Sequence, residues 1–297
     1  MRLRHIEVIQ ATLQTGDIEA AARQLQLSRD ATEEILNDAE RQMGFLLFAR
    51  VRGKLQPTVE ARALQGEFDQ LYVALERTRQ VASHLRQHQE APLRVMCTPT
   101  LAHHLAPQSL ATLRRRFRDT PCHLASQPTA HIVRSLLLHE SDLGLGLMSI
   151  NHPGIHCEAL AHGKLQLLAP RGWLPSKQKY IGLHELAGQA MVGLDGEDPL
   201  NPLLDGKLAA LQPPPRIHTH VQTYEMMRSM VEAGEGLAIV DPFTALGAKT
   251  AGLDVCPISP AIPVTLFALT LSGDNRSPAL RALLEIVGEK AQALLAG

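Results

Sequence analysis

The sequence is short of aromatic residues and of long apolar runs, and each shortage excludes a class of protein. Aromatic side chains make up only 3% of the chain, so a folded core has to be built from aliphatic residues. No segment approaches the ~18 consecutive apolar residues of a membrane span, and the first residues show no signal-peptide pattern. We therefore expect a cytoplasmic protein.

Cysteine is also scarce. The four cysteines are scattered without Cys-x-x-Cys or Cys/His spacing, which favours reduced packing residues over a zinc site. His103 and His104 are adjacent, so their side chains point in different directions, and together with His123 they make a poor metal site. No Ser/His/Asp or Cys/His catalytic set is recognisable. We expect no metal, no cofactor and no enzymatic activity.

The chain has no excess of charge of either sign. Its formal net charge is −1, which by itself favours no particular partner. Hydrophobic residues make up 45% and charged residues 20% of the chain, the balance of a globular protein. A length of 297 residues is enough for two or three compact units.

The first 57 residues have the pattern of a winged helix-turn-helix. Apolar spacing and capping residues predict three helices, at residues 3–15, 18–25 and 29–43. Asp17 and Ser28 are suitable N-caps, and Gly44 is a natural stop for the third helix. Two short extended runs then flank Arg52-Gly53 and are closed by Pro57, which predicts a wing hairpin.

A long helix is predicted after the wing, at residues 58–90. Apolar or small side chains recur in alternating steps of four and three, at Leu64, Phe68, Leu71, Leu75, Thr78, Ala82 and Leu85. Such a heptad seam predicts a dimerising coiled-coil partner. The alternative is a helix that lies on its own domain.

From Leu93 onward the sequence alternates between strand and helix patterns. Predicted strands are residues 93–97, 122–126, 142–149, 165–170, 190–194, 217–221, 236–241 and 264–269. Predicted helices are residues 105–117, 132–139, 200–211, 223–233, 242–249 and 277–295. This alternation predicts parallel sheets, and it contains more strands than one small sheet holds. We expect two α/β lobes in residues 91–297: lobe 1 at about 91–163 plus 263–297, and lobe 2 at about 164–262.

Motifs along the whole chain carry a family resemblance. They are Ala21-Ala22-x-x-Leu25-x-Leu27-Ser28, Met43-Gly44-Phe45-Leu46-Leu47-Phe48-x-Arg50, Pro57-Thr58-x-x-Ala61, Asp142-Leu143-Gly144, and the run from Val231 to Ala245. The chain resembles the LysR-type transcriptional regulators. The resemblance implies a DNA-binding domain, a dimerising linker helix, a periplasmic-binding-protein-like effector domain whose lobes clamp a small molecule, and assembly as a homodimer or homotetramer. The last run resembles members that sense amino acids and opines.

The helix that should enter DNA is unexpectedly acidic. Where the family usually has Ser-Gln-Pro-Ala-x-Ser-Arg, this chain has Ser28-Arg29-Asp30-Ala31-Thr32-Glu33-Glu34, and residues 1–57 hold eight basic and eight acidic side chains. A domain without net positive charge is poorly suited to neutralising phosphates. Either it binds double-stranded DNA weakly and needs several copies, which we favour, or its DNA binding has decayed. Candidate DNA contacts are Ser28, Arg29, Asp30, Thr32, Glu33, Glu34, Arg50, Arg52 and Lys54.

An effector should bind where strand ends and helix N-termini of the two lobes converge, because N–H groups there hold a carboxylate. The candidate contacts are Thr98, Thr100, Gln127, Thr129, Met148, Asp195, Asp198, Thr223, Pro242 and Phe243. Thr98 and Thr100 are equally plausible as simple N-caps. The acidic loop with Asp195 and Asp198 suits an ammonium or guanidinium group, or is a solvated loop. Phe243 is a candidate wall of the cleft.

Two functions follow. The favoured one is a DNA-binding transcription regulator controlled by a small effector, for which amino-acid-like chemistry is expected, held between two α/β lobes. The alternative is a ligand-binding or interaction protein of the same fold whose DNA binding is weakened or lost.

Overall fold

The computed structural model describes residues 1–51, 54–68, 71–72, 75, 78, 92–175, 178–195, 200–273 and 276–296. The chain divides into two compact units, Met1–Gln89 and Glu90–Gly297. No helix in the described ranges is long and apolar enough to cross a membrane.

The first unit has the predicted three helices and wing. The helices are α1 (Leu3–Thr15), α2 (Ile18–Gln24) and α3 (Arg29–Met43), and the wing strands are β1 (Phe48–Val51) and β2 (Lys54–Pro57), which pair in antiparallel fashion. The predicted caps are confirmed: the Asp17 carboxylate accepts from the Ala20 N–H at 3.1 Å and the Ser28 hydroxyl from the Ala31 N–H at 3.2 Å. Gly44 ends α3 with a left-handed φ of 82°.

The wing is fixed to α3 by a buried carboxylate. Glu40 accepts hydrogen bonds from the backbone N–H groups of Leu47 at 2.7 Å and Phe48 at 3.1 Å, just where β1 begins. These charge-assisted bonds satisfy two donors that would otherwise be buried without partners. One of the acidic residues of α3 therefore has a structural role.

The heptad seam is divided between two environments. A fourth helix, α4, begins at residue 59 and continues to residue 68. Phe68 is only 3% exposed and packs with Val8 and Ile9 in the core of its own unit, with Leu64 partly buried beside it. For these two positions the alternative of a helix lying on its own domain is correct. Leu71 is 46% exposed, whereas Ala82 and Leu85 lie outside the described residues.

The second unit begins with a five-stranded sheet, which we call sheet A. Its strands, in spatial order, are β4 (Cys122–Ser126), β3 (Leu93–Cys97), β5 (Leu143–Gly146), β13 (Pro263–Leu271) and β6 (Ile155–Lys164). Its helices are α5 (Pro99–Ala102), α6 (Leu105–Arg116), α7 (Thr129–Leu137) and α10 (Pro278–Ala296). The core below it is mainly Leu, Val and Ala, as the low aromatic content predicts.

The remaining strands form a second group, sheet B. Four of them lie in the order β11 (Ala238–Val240), β7 (Gln166–Pro170), β12 (Leu253–Ser259) and β8 (Ile181–Gly182), and a parallel pair, β9 (Ala190–Leu194) and β10 (Arg216–Val221), joins through a bridge from Met191 to Leu237. Helices α8 (Leu200–Ala209) and α9 (Tyr224–Glu232) and a 3-10 turn (Leu183–Leu186) accompany it. The two sheets form the two α/β lobes that the sequence predicts.

Some details of the prediction are wrong. Both sheets are mixed, because β13 runs antiparallel to β5 and β6, and β7 runs antiparallel to β11 and β12. Strands β6 and β12 were not predicted, because exposed positions interrupt any apolar run in them, and β8 was not predicted because it is only two residues long. The predicted helix at 242–249 is a series of turns, because the Asp241 carboxylate takes the N–H groups of Phe243 and Thr244 at 2.8 and 3.1 Å.

Candidate functional site

The candidate DNA-binding face consists of the start of α3 and the wing. Ser28, Arg29, Asp30 and Glu34 are exposed there, and the Asp30 carboxylate complements the positive end of the helix dipole. Thr32 was predicted to contact DNA, and this is wrong. Thr32 is 0% exposed, and its hydroxyl donates to the Ser28 carbonyl at 2.9 Å. Its side chain is therefore buried within the unit.

Most of the acidity of α3 is compensated within the unit. Glu33 lies 3.7 Å from the Arg50 guanidinium of the wing. Asp38 accepts from Gln42 at 2.9 Å and lies 3.1 Å from the His5 ring. Together with the role of Glu40, this leaves Asp30 and Glu34 as the carboxylates of α3 without a partner in the described part of the chain. Arg52 lies outside the described residues, and for Lys54 only its backbone position in β2 is described.

The candidate effector site begins where three strands of sheet A end. Thr98 follows β3, Thr129 begins α7 after β4, and Gly146 is the last residue of β5. A Cβ placed on Gly146 would lie 3.7 Å from Thr98 Cγ2 and 3.9 Å from Thr129 Oγ1, so the three residues surround one small space. Gly146 was not predicted as a site residue. The signal was present, since it is a glycine at the end of a buried strand.

The hydroxyl of Thr98 is an unusual polar group at this strand end, although the Thr98 atom nearest to Gly146 is its methyl carbon. Its oxygen is buried and has no hydrogen-bond partner among the described residues, although its N–H donates to the Leu145 carbonyl at 3.0 Å. It makes no capping bond to α5, so the alternative role as an N-cap is not realised. An unpartnered buried hydroxyl costs roughly 1–3 kcal/mol, which a bound polar ligand would recover.

Further donors lie at the edge of this space. In the described ranges no side-chain capping bond is made at the N-cap of α7, although the His131 N–H of its first turn donates to the Pro128 carbonyl at 3.0 Å. Gln127 is exposed, its carbonyl oxygen lies 3.3 Å from the His131 ring, and Met148 is half-buried.

In the second lobe the predicted residues are less concentrated. The Thr223 hydroxyl caps α9 by accepting from the Met226 N–H at 3.2 Å. Asp195 is exposed at the end of β9, where its N–H donates to the Val221 carbonyl at 2.7 Å. Asp198 lies outside the described residues.

Three predicted effector contacts are packing residues, which contradicts the prediction. Thr100 is 4% exposed and donates its hydroxyl to Asp241 at 2.5 Å. Phe243 is 1% exposed in the core under sheet A, and Pro242 is buried where a Cβ on Gly163 would lie 2.8 Å from its ring. Each of these side chains is held by contacts within the protein.

The residue that organises these three was missed. Asp241 is fully buried and accepts hydroxyl hydrogens from Thr100 and Thr244, at 2.5 and 2.6 Å, besides the two backbone bonds that form its turn. Burial raises the pKa of the Asp241 carboxyl, and the hydrogen bonds from Thr100 and Thr244 oppose that rise. The segment after β11 is thereby joined to α5 of the other lobe. An Asp followed three residues later by Thr is a turn signal that the sequence contained.

A half-buried acid, Glu225, lies beside this turn. Burial raises the pKa of Glu225, at the start of α9, and the neighbouring His103 opposes the rise. Its Oε1 has no partner among the described residues. Arg228, one turn later, donates to the Thr244 and Leu246 carbonyls at 3.2 and 2.9 Å, so α9 holds the turn from its other side. No group of three or more His, Cys, Asp or Glu in the described ranges could hold a metal ion.

Comparison with protein families and known proteins agrees with both units. Residues 3–62 match the family model of the "Bacterial regulatory helix-turn-helix protein, lysR family", and residues 86–292 match the "LysR substrate binding domain". The regulator DgcR of a Pseudoalteromonas species is 29% identical over 96% of this chain and 98% of its own length. The transcriptional activator LysR of Escherichia coli K12 is 28% identical over 90% of this chain and 86% of its own.

Two further matches are a regulatory protein and a solved structure. The octopine catabolism/uptake operon regulatory protein OccR of Rhizobium meliloti is 22% identical over 84% of this chain and 82% of its own length. The full-length regulator CbnR in complex with its target DNA aligns with a TM-score of 0.70 and 18% identity, over 98% of this chain and all of that one. At this identity the structural match shows the shared fold.

Proposed function

This chain belongs to the LysR family of bacterial transcription regulators, and from that premise we propose that the effector its second unit senses is amino-acid-like. As a member of the family it combines a DNA-binding helix-turn-helix with an effector-binding domain, and its relatives are regulators rather than enzymes. The identity of the effector and the residues that hold it are the content of the proposal.

The observation that carries the proposal is the unpartnered Thr98 hydroxyl. Thr98, whose hydroxyl is buried without a hydrogen-bond partner in the described ranges, and Thr129 lie on either side of Gly146 at the start of α7, whose N-cap residue makes no side-chain capping bond. Hydroxyl and N–H donors at a helix N-terminus match a carboxylate, the group common to all amino acids. The exposed Asp195 at the end of β9 is the carboxylate that we propose meets an ammonium group. The relative that regulates octopine genes supports the same ligand class.

For DNA binding we propose the exposed start of α3 and the wing. Ser28, Arg29, Asp30, Glu33 and Glu34 supply the helix contacts, and Arg50, Arg52 and Lys54 supply the wing contacts. The charges of residues 1–57 cancel, so each copy binds weakly and a site needs several copies. We propose that residues 1–57 bind DNA, 58–90 dimerise, 91–297 bind effector, and the assembly is a homotetramer in the cytoplasm.

The rival function is an effector-binding protein that no longer binds DNA. The cancelled charge of residues 1–57 is the observation that favours it. Glu33, Asp38 and Glu40 have partners within the unit, which weakens that argument. Carboxylates that already have partners do not all face a phosphate of bound DNA.

The test is thermal unfolding of the full-length protein with sets of three related compounds. Each set contains an amino acid, its amide without the free carboxylate, and its des-amino acid without the ammonium. We expect one amino acid or amino-acid derivative to raise the melting temperature, and its amide to lose the effect. A carboxylate-free compound that stabilises the protein equally well would contradict the proposed site.

A further inference from the structure

One ion pair joins the helix that enters DNA to the wing. The Arg50 guanidinium on β1 lies 3.7 Å from the Glu33 carboxylate on α3, with the two side chains 61% and 39% exposed. The other described ion pairs of this unit lie within α1, within α3 or between α1 and α3. This pair therefore connects the two surfaces that a DNA duplex would contact.

The pair contributes little to the stability of the fold. Solvent screens an exposed pair at this separation, and its two long side chains lose conformational freedom when they form it. The pair instead affects how Arg50 binds DNA. A phosphate that approaches Arg50 has to compete with the Glu33 carboxylate, so the guanidinium is partly neutralised before DNA arrives.

We propose that Glu33 is a specificity-determining residue that acts through Arg50. On random DNA the pair stays closed, and Arg50 adds little to phosphate binding. On the correct site a base amino group, such as that of cytosine, donates to Glu33 and replaces Arg50, which is then free to bind phosphate. Recognition of the base by Glu33 and binding of the DNA phosphate by Arg50 are thereby coupled. The proposal rests on the DNA-binding function proposed above.

The same helix offers a matched control. Glu34 is the next residue, is exposed, and has no ion-pair partner in the described part of the chain. Glu34→Gln removes the same charge from the same helix turn as Glu33→Gln, but it leaves the pair intact. A general charge effect changes both variants alike, whereas the pair affects only one of them.

The experiment is a double-mutant cycle in the full-length protein. Fluorescence anisotropy with a labelled random-sequence duplex gives the dissociation constant of Glu33→Gln, Glu34→Gln and Arg50→Gln, and of each Glu variant combined with Arg50→Gln. We expect Glu33→Gln to strengthen random binding about 2- to 5-fold more when Arg50 is present than when it is replaced. The effect of Glu34→Gln should be the same in both backgrounds.

Two outcomes would overturn the proposal. Equal effects of Glu33→Gln with and without Arg50 would show that the two side chains act independently. The same coupling for Glu34→Gln would show a general charge effect rather than a specific pair. Failure of the unmodified protein to bind any duplex, at low salt as well, is a different result: it would remove the DNA-binding function itself, and the proposal with it. Circular dichroism should show all variants folded, since the replaced side chains are exposed.

Discussion

Replacing Thr98 by valine separates an effector contact from a structural cap. Valine keeps the shape of threonine and replaces the hydroxyl by a methyl group. That oxygen is buried without a partner among the described residues, so the folded protein carries a desolvation cost of roughly 1–3 kcal/mol. Thr98→Val should therefore leave the free energy of unfolding unchanged or raise it by up to about that amount.

Effector binding should respond in the opposite direction. A hydrogen bond to a charged carboxylate contributes about 1.5–3 kcal/mol, so Thr98→Val should weaken effector binding roughly 10- to 100-fold. Thr223→Val is the matched control. Its hydroxyl accepts from the Met226 N–H at 3.2 Å, so its loss should cost ~0.5–2 kcal/mol of stability.

Urea unfolding, followed by tryptophan fluorescence, measures the change in the free energy of unfolding. The signal reports on the second unit, because Trp173, the single tryptophan, packs against the core of sheet B. Thermal shift with the stabilising amino acid measures the change in effector binding. The reasoning would be refuted if Thr98→Val destabilised the protein as much as Thr223→Val, or if it left effector binding unchanged.

Three further predictions concern other parts of the chain. The pKa of Asp241 is raised in the folded protein, so the protonated carboxyl group favours folding. The free energy of unfolding should therefore fall as the pH rises from the ordinary aspartate pKa through the folded pKa. Asp241→Asn should flatten this dependence in urea titrations at several pH values. Leu71→Glu should weaken dimerisation, measured by sedimentation, and unchanged sedimentation would show that other surfaces hold the assembly. Phe68→Ala should instead lower the free energy of unfolding by ~3–5 kcal/mol, because Phe68 is buried in its own unit. Glu33→Ser with Glu34→Arg should bind random DNA more tightly but lose ~1–3 kcal/mol of preference per lost base contact in a competition titration, and an undiminished preference would contradict a role in specificity.

The first unit could be predicted from sequence because its signals are local. Asp17, Ser28 and Gly44 set the helix ends by hydrogen bonds and backbone conformation within a few residues, and the structure has them in these roles. Thr32 and Phe68 could not be placed in the same way. Whether a residue on a helix faces DNA, a partner or its own core depends on which elements pack against it.

The effector unit shows the same limit more clearly. Strand β12 pairs with β7 and β8, which come from distant parts of the chain, and nothing in its own residues fixes that arrangement. Asp241 and Thr100 are far apart in sequence, so their bond could not be read from spacing. The closeness of Gly146 to Thr98 and Thr129 likewise could not be read from spacing, because the three residues come from different segments.

The most direct test of the central claim is DNA binding by the full-length protein with and without the amino acid that stabilises it. The probes are the duplex upstream of its own gene and a shuffled duplex of the same composition, titrated at the same salt concentration. We expect binding to the upstream duplex to be at least about 10³-fold tighter than to the shuffled one, and to change when the amino acid is added. Equal affinity for both duplexes, unaffected by the amino acid, would contradict the account.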